Sequence, residues 1–374
     1  MIRRWLAPAL ICLLAFGAFE WKIQHKMVDF HVYRTAAERA LHAEELYRES
    51  DQHWQFKYLP AFAITTLPFA WLSEDAAKVV WFGITVGALV LLLRWSAQFV
   101  PARRREISVL VGLTTVVMAK YFIHEIQLGQ VNVVFTLLAV AGIGALQSEI
   151  PIAAGVLFAA AVIVKPYAIL FGPWLLVSEP RRATLAFAVT FALSLIVPAV
   201  IYGLRGDVLL HWHWWQTVTS TTAPNLLLQD NVSFASAWAK WIGPGKPASL
   251  LAIVSGIASL GLVADMWRRR DGINEPAYLE VAALLVLMPV LSPQGWDYVL
   301  LLSAPAIMLL ADRELELTMP WRVAVWASAG SMGLVLFDVV GRTIYHAFMV
   351  SSIVTISAVT LVVALRQVRR LGLA

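Results

Sequence analysis

The first group in this chain able to move a proton is the aspartate of Asp29-Phe30-His31-Val32-Tyr33. Among aromatic and apolar neighbours its carboxylate would be partly desolvated, which raises its basicity. A carboxylate so placed can take a proton from a hydroxyl as general base. It could instead cap a helix starting near His31, and the sequence leaves both open. Lys165, in Val164-Lys165-Pro166-Tyr167, is an ionisable side chain in apolar surroundings at a proline break. Such groups are costly at membrane depth and default to function. A lysine there suits a phosphate, as a point charge, against the simpler reading that it snorkels to the interface. His211 and His213 suggest metal spacing, but positions i and i+2 do not share a helical face. No carboxylate cluster accompanies them, so the Trp-rich stretch 211–215 reads as an interfacial aromatic belt. Asp230-Asn231-Val232-Ser233 has the form of a glycosylation acceptor, a pattern too short to carry weight. There is no glycine-rich phosphate loop, so an activated group would have to arrive on a lipid rather than in a nucleotide-binding domain.

The elements that must position these groups are apolar helices. Of 374 residues 60% are hydrophobic and 14% charged, where soluble domains carry roughly 25% charge; mean hydropathy is +0.72. A hydrocarbon core about 30 Å thick needs about 20 apolar residues per helix, and segments of that length recur. Only helices or closed barrels satisfy the backbone in lipid, and the alternation of barrel strands is absent. The expected class is therefore an all-α polytopic membrane protein. Cys12 is the sole cysteine, which excludes an intrachain disulfide and a cysteine metal site. The net charge of +5 comes from arginine clusters beside the spans and argues topology, not nucleic-acid binding.

Arg3 and Arg4 precede a run from Trp5 to Trp21 with no small-residue cleavage site after it, so it reads as an uncleaved helix entering from the cytoplasm. Residues 22–76 form an outer and juxtamembrane segment. In it Phe30, Tyr33, Ala37, Ala40 and Leu41 recur at helical spacing, as in an amphipathic interfacial helix. Residues 59–72, with Pro60 and Pro68, are too short to span and read as interfacial or re-entrant. Spans then follow at 77–100, 107–123, 130–147, 151–178 (broken at Lys165-Pro166), 184–203, 247–267, 277–291, 298–311, 321–337 and 347–365. Residues 204–246 make a second large outer loop. This gives about twelve spans in one domain over 1–374, both termini cytoplasmic, with the arginine clusters inside. One polar residue at a span end usually just meets headgroups and water. Here Asp29, Lys57, His124, Glu125, Gln130, Asn132, Lys165, His211, His213, Asn231, Gln294 and Asp297 all fall outside together, so the active face is expected there.

Several of these stretches resemble glycosyltransferase family 87, a group of membrane enzymes of the C-type superfamily that use polyprenyl-phosphate sugars. The likeness runs through Asp29-Phe30-His31-Val32-Tyr33, Ala36-Ala37, Leu46-Tyr47 and Phe56-Lys57-Tyr58-Leu59-Pro60. It continues in Gly129-Gln130-Val131-Asn132, Ala153-Ala154-Gly155, Val164-Lys165-Pro166, Leu291-Ser292-Pro293 and Trp296-Asp297. The resemblance implies a C-type bundle and a transfer of a hexose, mannose foremost, from polyprenyl phosphate to an extracytoplasmic glycolipid or glycan, with inversion. It makes Asp29 the catalytic base. Lys165 and Lys57 become contacts of the donor phosphate, and Tyr33, Tyr58, His124, Gln130, Asn132, Asn231, Trp296 and Asp297 contacts of sugar or acceptor. No acidic pair stands beside Asp29, so no divalent metal or other cofactor is expected. The implied place is the bacterial inner membrane, with membrane lipids, donor and acceptor as partners. The chain departs from the family in having Leu59-Pro60 for paired prolines, and Tyr298 and Val299 where histidines often follow the late Trp-Asp. A lipid-linked-sugar flippase would instead show internal repeats and paired broken helices; only the break at Lys165 is seen. A catalytically silent assembly partner is the remaining reading.

Overall fold

The computed structural model describes residue 17 and residues 19–178 and 180–372. Arg3, Arg4, Cys12 and most of the expected first span lie outside them. Among the described residues the chain is helical and has no strand, only an isolated bridge between Asn231 and Trp296.

The amphipathic helix expected within 22–76 is α1, Val28–Leu41; Phe30, Tyr33, Ala36, Ala37 and Ala40 are its buried face. Residues 59–72 form two short helices, α2 (Pro60–Thr65) and α3 (Leu67–Ala70), each opened by a proline in its first turn, where the missing N–H costs nothing. Both pack under α1. Next come α4 (Glu74–Gln98), capped by Ser73, α5 (Ile107–Leu128), α6 (Asn132–Gln147) and α7 (Pro151–Val164). After α7 the chain extends at Lys165, makes a 3-10 turn over Pro166–Leu170 and continues as α8, Phe171–Ser178. The expected break is thus where the proline places it. Helix α9 (Arg181–Ile196) lies so close to α7 that a Cβ on Gly155 would stand 2.2 Å from the Ala183 carbonyl oxygen, the close approach that small residues allow in membrane helices.

The stretch 204–246, expected as a loop, is largely helical. Helix α10 (Ala199–Ser220) bends at Gly203, φ +68°, and is followed by α11 (Thr222–Asn225) and α12 (Phe234–Ile242). The chain then runs through α13 (Lys246–Arg268) and α14 (Ala277–Leu291). A 3-10 stretch over Asp297–Ser303 leads to α15 (Ala304–Arg313), so the span expected at 298–311 is part 3-10. Helices α16 (Met319–Gly333), α17 (Phe337–Val350) and α18 (Ile353–Arg370) end the fold. Helix α14 is apolar apart from Glu280 in its first turn and buried from Ala277 to Val290, as a central helix must be; α6, α13, α15 and α18 pack around it.

Among the described residues three helices, α4, α5 and α13, are long and apolar enough to cross a membrane by themselves, and counting each bent pair as one span gives five. The bent pairs are α9 with the Ala199–Asn225 segment, at 88°, and α16 with α17, at 102°. Helices α6, α7 and α14 and the segment Pro166–Ser178 are apolar but shorter; at 1.5 Å per residue a helix of 14–16 residues reaches only about 21–24 Å.

The helices line up so that one end of the bundle gathers arginines. There Arg104 Nε meets Glu316 at 3.0 Å, Arg105 pairs with Glu314, and Asp312 accepts the backbone N–H groups of Arg104 and Arg105. Arg366 meets Asp265 at 2.6 Å, while Arg369 and Arg270 flank Glu280, which also accepts from Trp174 at 2.9 Å. The other end carries Asp29, Lys57, Lys165 and Gln130.

Candidate active site

Helix α5 stops at Gly129, whose φ of +67° is the left-handed conformation that glycine adopts without penalty. A Cβ there would stand 2.7 Å from Phe30 Cβ, so the bare glycine also lets α1 lie against the break. Trp81 donates to the Gly129 carbonyl at 2.8 Å and stacks against Phe30. Through this contact the start of α1, with Asp29, is set beside Gln130.

Asp29 lies in the first turn of α1; the cap position is Met27 and no side chain caps the helix. The capping role left open by the sequence is therefore not the one Asp29 fills. Its carboxylate is hydrogen-bonded to the Gln130 side chain, and the charges of Lys165, His53 and Lys57 act on it. Burial outweighs these and pushes the carboxyl above its ordinary value. Around it the hydroxyls and amides form a chain. Tyr33 donates to Gln130 Oε1 at 3.1 Å and meets the Tyr58 hydroxyl at 2.7 Å. Gln130 Nε2 donates to the Tyr298 hydroxyl at 3.3 Å. Asn132 Nδ2 donates to Glu125 Oε2 at 3.0 Å, and Glu125 also accepts the Val133 N–H at 2.7 Å, which ties the start of α6 to the end of α5.

The two lysines are held by neutral groups. Lys165 Nζ donates to the Tyr58 hydroxyl at 3.1 Å and stands 4.8 Å from the centre of its ring. Lys57 Nζ reaches Gln294 Oε1 at 3.5 Å, and burial lowers the pKa of its ammonium against the pull of Asp29. Gln294 is itself held by the Val218 carbonyl and the Thr221 and Thr222 hydroxyls. Neutral partners fix an ammonium in place without neutralising it, so its charge stays available to an anion.

Of the expected residues, Asp29, Tyr33, Lys57, Tyr58, Gln130, Asn132 and Lys165 thus come together. The others gather in an adjoining layer and have different partners. Asn231 is buried and spends its amide on the Asn225 and Pro293 carbonyls. Trp296 bridges to Asn231, and the Asp297 N–H donates to the Asp230 carbonyl. The Asp297 carboxylate is paired with Lys120 at 2.7 Å, both side chains buried, and Lys120 also donates to the Tyr345 hydroxyl at 3.2 Å. His124, one turn beyond Lys120, has a buried Nδ1 with no hydrogen-bond partner among the described residues. His211 lies with Asp207 and His213 near Glu45, so the two histidines face separate partners. Among the described residues no three His, Cys, Asp or Glu side chains form a group that could hold a metal ion.

Sequence reasoning gives Lys120 no role, although a lysine inside the apolar run 107–123 is a signal of one. Tyr298 stands where the family often has a histidine, and its hydroxyl is what backs Gln130.

The sequence model of glycosyltransferase family 87 matches residues 56–293, a stretch that holds Lys57, Gln130 and Lys165 and begins after Asp29. Two curated relatives are named as polyprenol-phosphate-mannose-dependent alpha-(1-2)-phosphatidylinositol mannoside mannosyltransferases. That of Mycobacterium tuberculosis is 25% identical over 338 residues, covering 82% of this chain and 76% of the relative. That of Mycolicibacterium smegmatis is 25% identical over 363 residues, covering 87% and 79%. No solved structure matches the chain.

Proposed function

The chain belongs to glycosyltransferase family 87, and from that premise we propose that it moves mannose from a polyprenyl phosphate carrier to a hydroxyl of an extracytoplasmic glycolipid or glycan, with inversion. The donor and the glycolipid acceptor are those in the relatives' names. The observation that carries the proposal for this chain is a carboxylate and two ammonium groups gathered at one end of the bundle and held by neutral side chains.

In the proposed step the acceptor oxygen attacks the anomeric carbon from the face opposite the phosphate. Its proton passes to Asp29, and the bond from the anomeric carbon to the phosphate oxygen breaks with its electron pair leaving on polyprenyl phosphate. Proton abstraction by a placed base contributes about 10²–10⁴-fold; positioning and charge stabilisation at the leaving group supply the rest. Lys165 and Lys57 stabilise the departing phosphate. Gln130 orients Asp29, and Tyr33, Tyr58 and Asn132 face the sugar hydroxyls. Asn231, Trp296 and Asp297 act one step back, on the loop that presents Gln294 and Tyr298, with His124 at its edge. Asp29 is outermost in this scheme, on the extracytoplasmic face of a bacterial inner membrane, with the arginine end in the cytoplasm. The short apolar helices complete a bundle of about twelve spans where the bilayer thins around them or a following segment continues the crossing, and 1–374 acts as one domain.

The test reconstitutes the protein in liposomes with radiolabelled polyprenyl phosphate mannose and a mannose-bearing phosphatidylinositol. The expected result is a labelled acceptor whose new glycosidic bond is inverted relative to the donor. Donor crossing between leaflets with no new glycoside would favour a flippase, and neither event across several acceptors would favour a silent assembly partner.

A further inference from the structure

Helix α10 has three sides, and only one of them is covered by protein. It follows α9, which packs along α7. The chain turns at Gly203, and the segment Ala199–Asn225 stands at 88° to α9. Gly203 combines φ +68° with ψ 165°, a backbone conformation open in practice to glycine alone. Its Cβ position is otherwise uncrowded, so the turn itself requires the glycine. With α9 crossing the bilayer, α10 beyond Gly203 lies in the plane of the membrane surface.

The residues are sorted around the helix accordingly. At about 100° per residue, Leu204, Val208, Trp212 and Trp215 fall within about 80° of arc. They are 75%, 69%, 56% and 54% exposed, and Thr219 is the one polar residue on that arc. A second side, with Asp207, Leu210 and Thr217, is buried against the protein. The third side carries Arg205, His213, Gln216 and Ser220, with Leu209 its single apolar exception. His213, Gln216 and Ser220 line a polar cleft of about 870 Å³ together with Glu45, Arg48 and Gln55. A helix wholly in water gains nothing from lining up two indoles and two aliphatic side chains. A helix across the bilayer has no use for a polar side. One protein side, one apolar side and one polar side belong to a helix at the protein's edge with lipid beneath it and water above. Tryptophan is the usual anchor at that boundary.

We infer that α10 beyond Gly203 is an in-plane anchor whose Leu204, Val208, Trp212 and Trp215 enter the outer leaflet, so that the partner of this face is lipid. The anchor reaches the candidate active site through its protein side. Trp214 Nε1 donates to the Lys57 carbonyl at 3.1 Å. Val218, with Thr221 and Thr222 just beyond the helix, holds Gln294, the partner of Lys57 Nζ. The depth of α10 in the leaflet thus sets the height of the Lys57 ammonium, at the level of lipid phosphates. That last step rests on the glycosyl-transfer reading above; the anchoring does not.

The experiment reads depth first, with no donor present. In a Cys12→Ser background, which removes the sole cysteine, nitroxides are placed on Leu204→Cys, Val208→Cys, Trp212→Cys, Arg205→Cys and Gln216→Cys in full-length protein in phosphatidylcholine nanodiscs. Collisions with oxygen, which concentrates among acyl chains, are compared with those of a water-soluble nickel complex. Oxygen should dominate at 204, 208 and 212, and nickel at 205 and 216. Equal nickel access at all five would put the helix in water. Shielding of 204, 208 and 212 from both reagents would mean that protein, such as a second copy of this chain, covers the stripe. Either result overturns the inference. The link to the site is then read in the liposome assay. Leu204→Glu with Val208→Glu should raise the KM for the lipid-linked donor about tenfold, the order of one hydrogen bond to a charged group, with kcat near wild type. Leu204→Phe with Val208→Ile should keep the wild-type KM, and thermal midpoints separate lost anchoring from lost fold. An unchanged KM in the double glutamate variant would overturn the link to Lys57. A protein that shows the depth pattern but never transfers mannose would fail the proposal on function and leave the anchor standing.

Discussion

At the arginine end of the bundle Glu280, Asp265, Glu314 and Glu316 each meet a guanidinium directly, whereas at the opposite end Asp29, Lys57 and Lys165 are held by an amide, an amide and a phenol. Both ends are rich in ionisable groups, and their use differs. A carboxylate saturated by arginine has little capacity left for a substrate, and its pairing serves the fold. Buried pairs of this kind tolerate loss of one partner badly, because the other charge is left without compensation. Charges positioned by neutral dipoles keep most of their field for whatever enters. Ionisable residues in a membrane protein are thus sorted by what holds them rather than by their depth.

This contrast can be broken most forcefully at Glu280. Glu280→Ala leaves Arg369 and Arg270 beside an empty place. It should cost about 3–5 kcal/mol of stability, read as a large drop in the thermal midpoint in detergent, while the transfer rate per folded molecule holds. At the other end Lys165→Met should do the reverse, lowering transfer by about 10²–10³-fold, as expected for removal of a charge aimed at the leaving group, with little change in the midpoint. If Lys165→Met unfolds the protein and Glu280→Ala only slows it, the distinction between the two ends fails.

A smaller effect sharpens the role of Gln130. Gln130→Leu should reduce transfer about tenfold, the order of one hydrogen bond to a charged group. It should also move the acid limb of the pH–rate profile. In the proposed step transfer needs the ionised Asp29, so activity should be lost as pH falls through its folded pKa. Burial sets that pKa above the ordinary carboxylate value, so the wild-type limb should lie higher than for an exposed aspartate. The Gln130 hydrogen bond lowers it, so its removal should shift the limb further up. A limb that stays in place in Gln130→Leu would detach Gln130 from Asp29. The smallest effect expected is from chelation: the proposed step runs on a carboxylate and two ammonium groups, and EDTA should leave the rate unchanged.

Much of this was legible in the sequence for local reasons. The helical face of Phe30, Tyr33, Ala37 and Ala40, the break at Lys165-Pro166 and the shortness of the proline-bearing stretch 59–72 all follow from covalent geometry within a few residues. The stretch 204–246 was not legible as helix. Its histidines and tryptophans suit a loop or a belt equally well, and the bend at Gly203 that turns α10 aside leaves no periodic signature. The Lys120–Asp297 pair was missed because its partners stand 177 positions apart, and no local pattern records such a meeting. Charge patterning assigns Asn231 and Asp297 to the same side as Asp29. What they bind there is a matter of tertiary packing.

The central claim is that Asp29 takes the proton. Asp29→Asn keeps the shape of the side chain and a hydrogen bond to Gln130 but removes the basic oxygen, so it isolates that role. In the liposome assay the account predicts a loss of about 10²–10⁴-fold in mannose transfer, with donor binding and thermal midpoint as in wild type. Transfer by Asp29→Asn at the wild-type rate would contradict it.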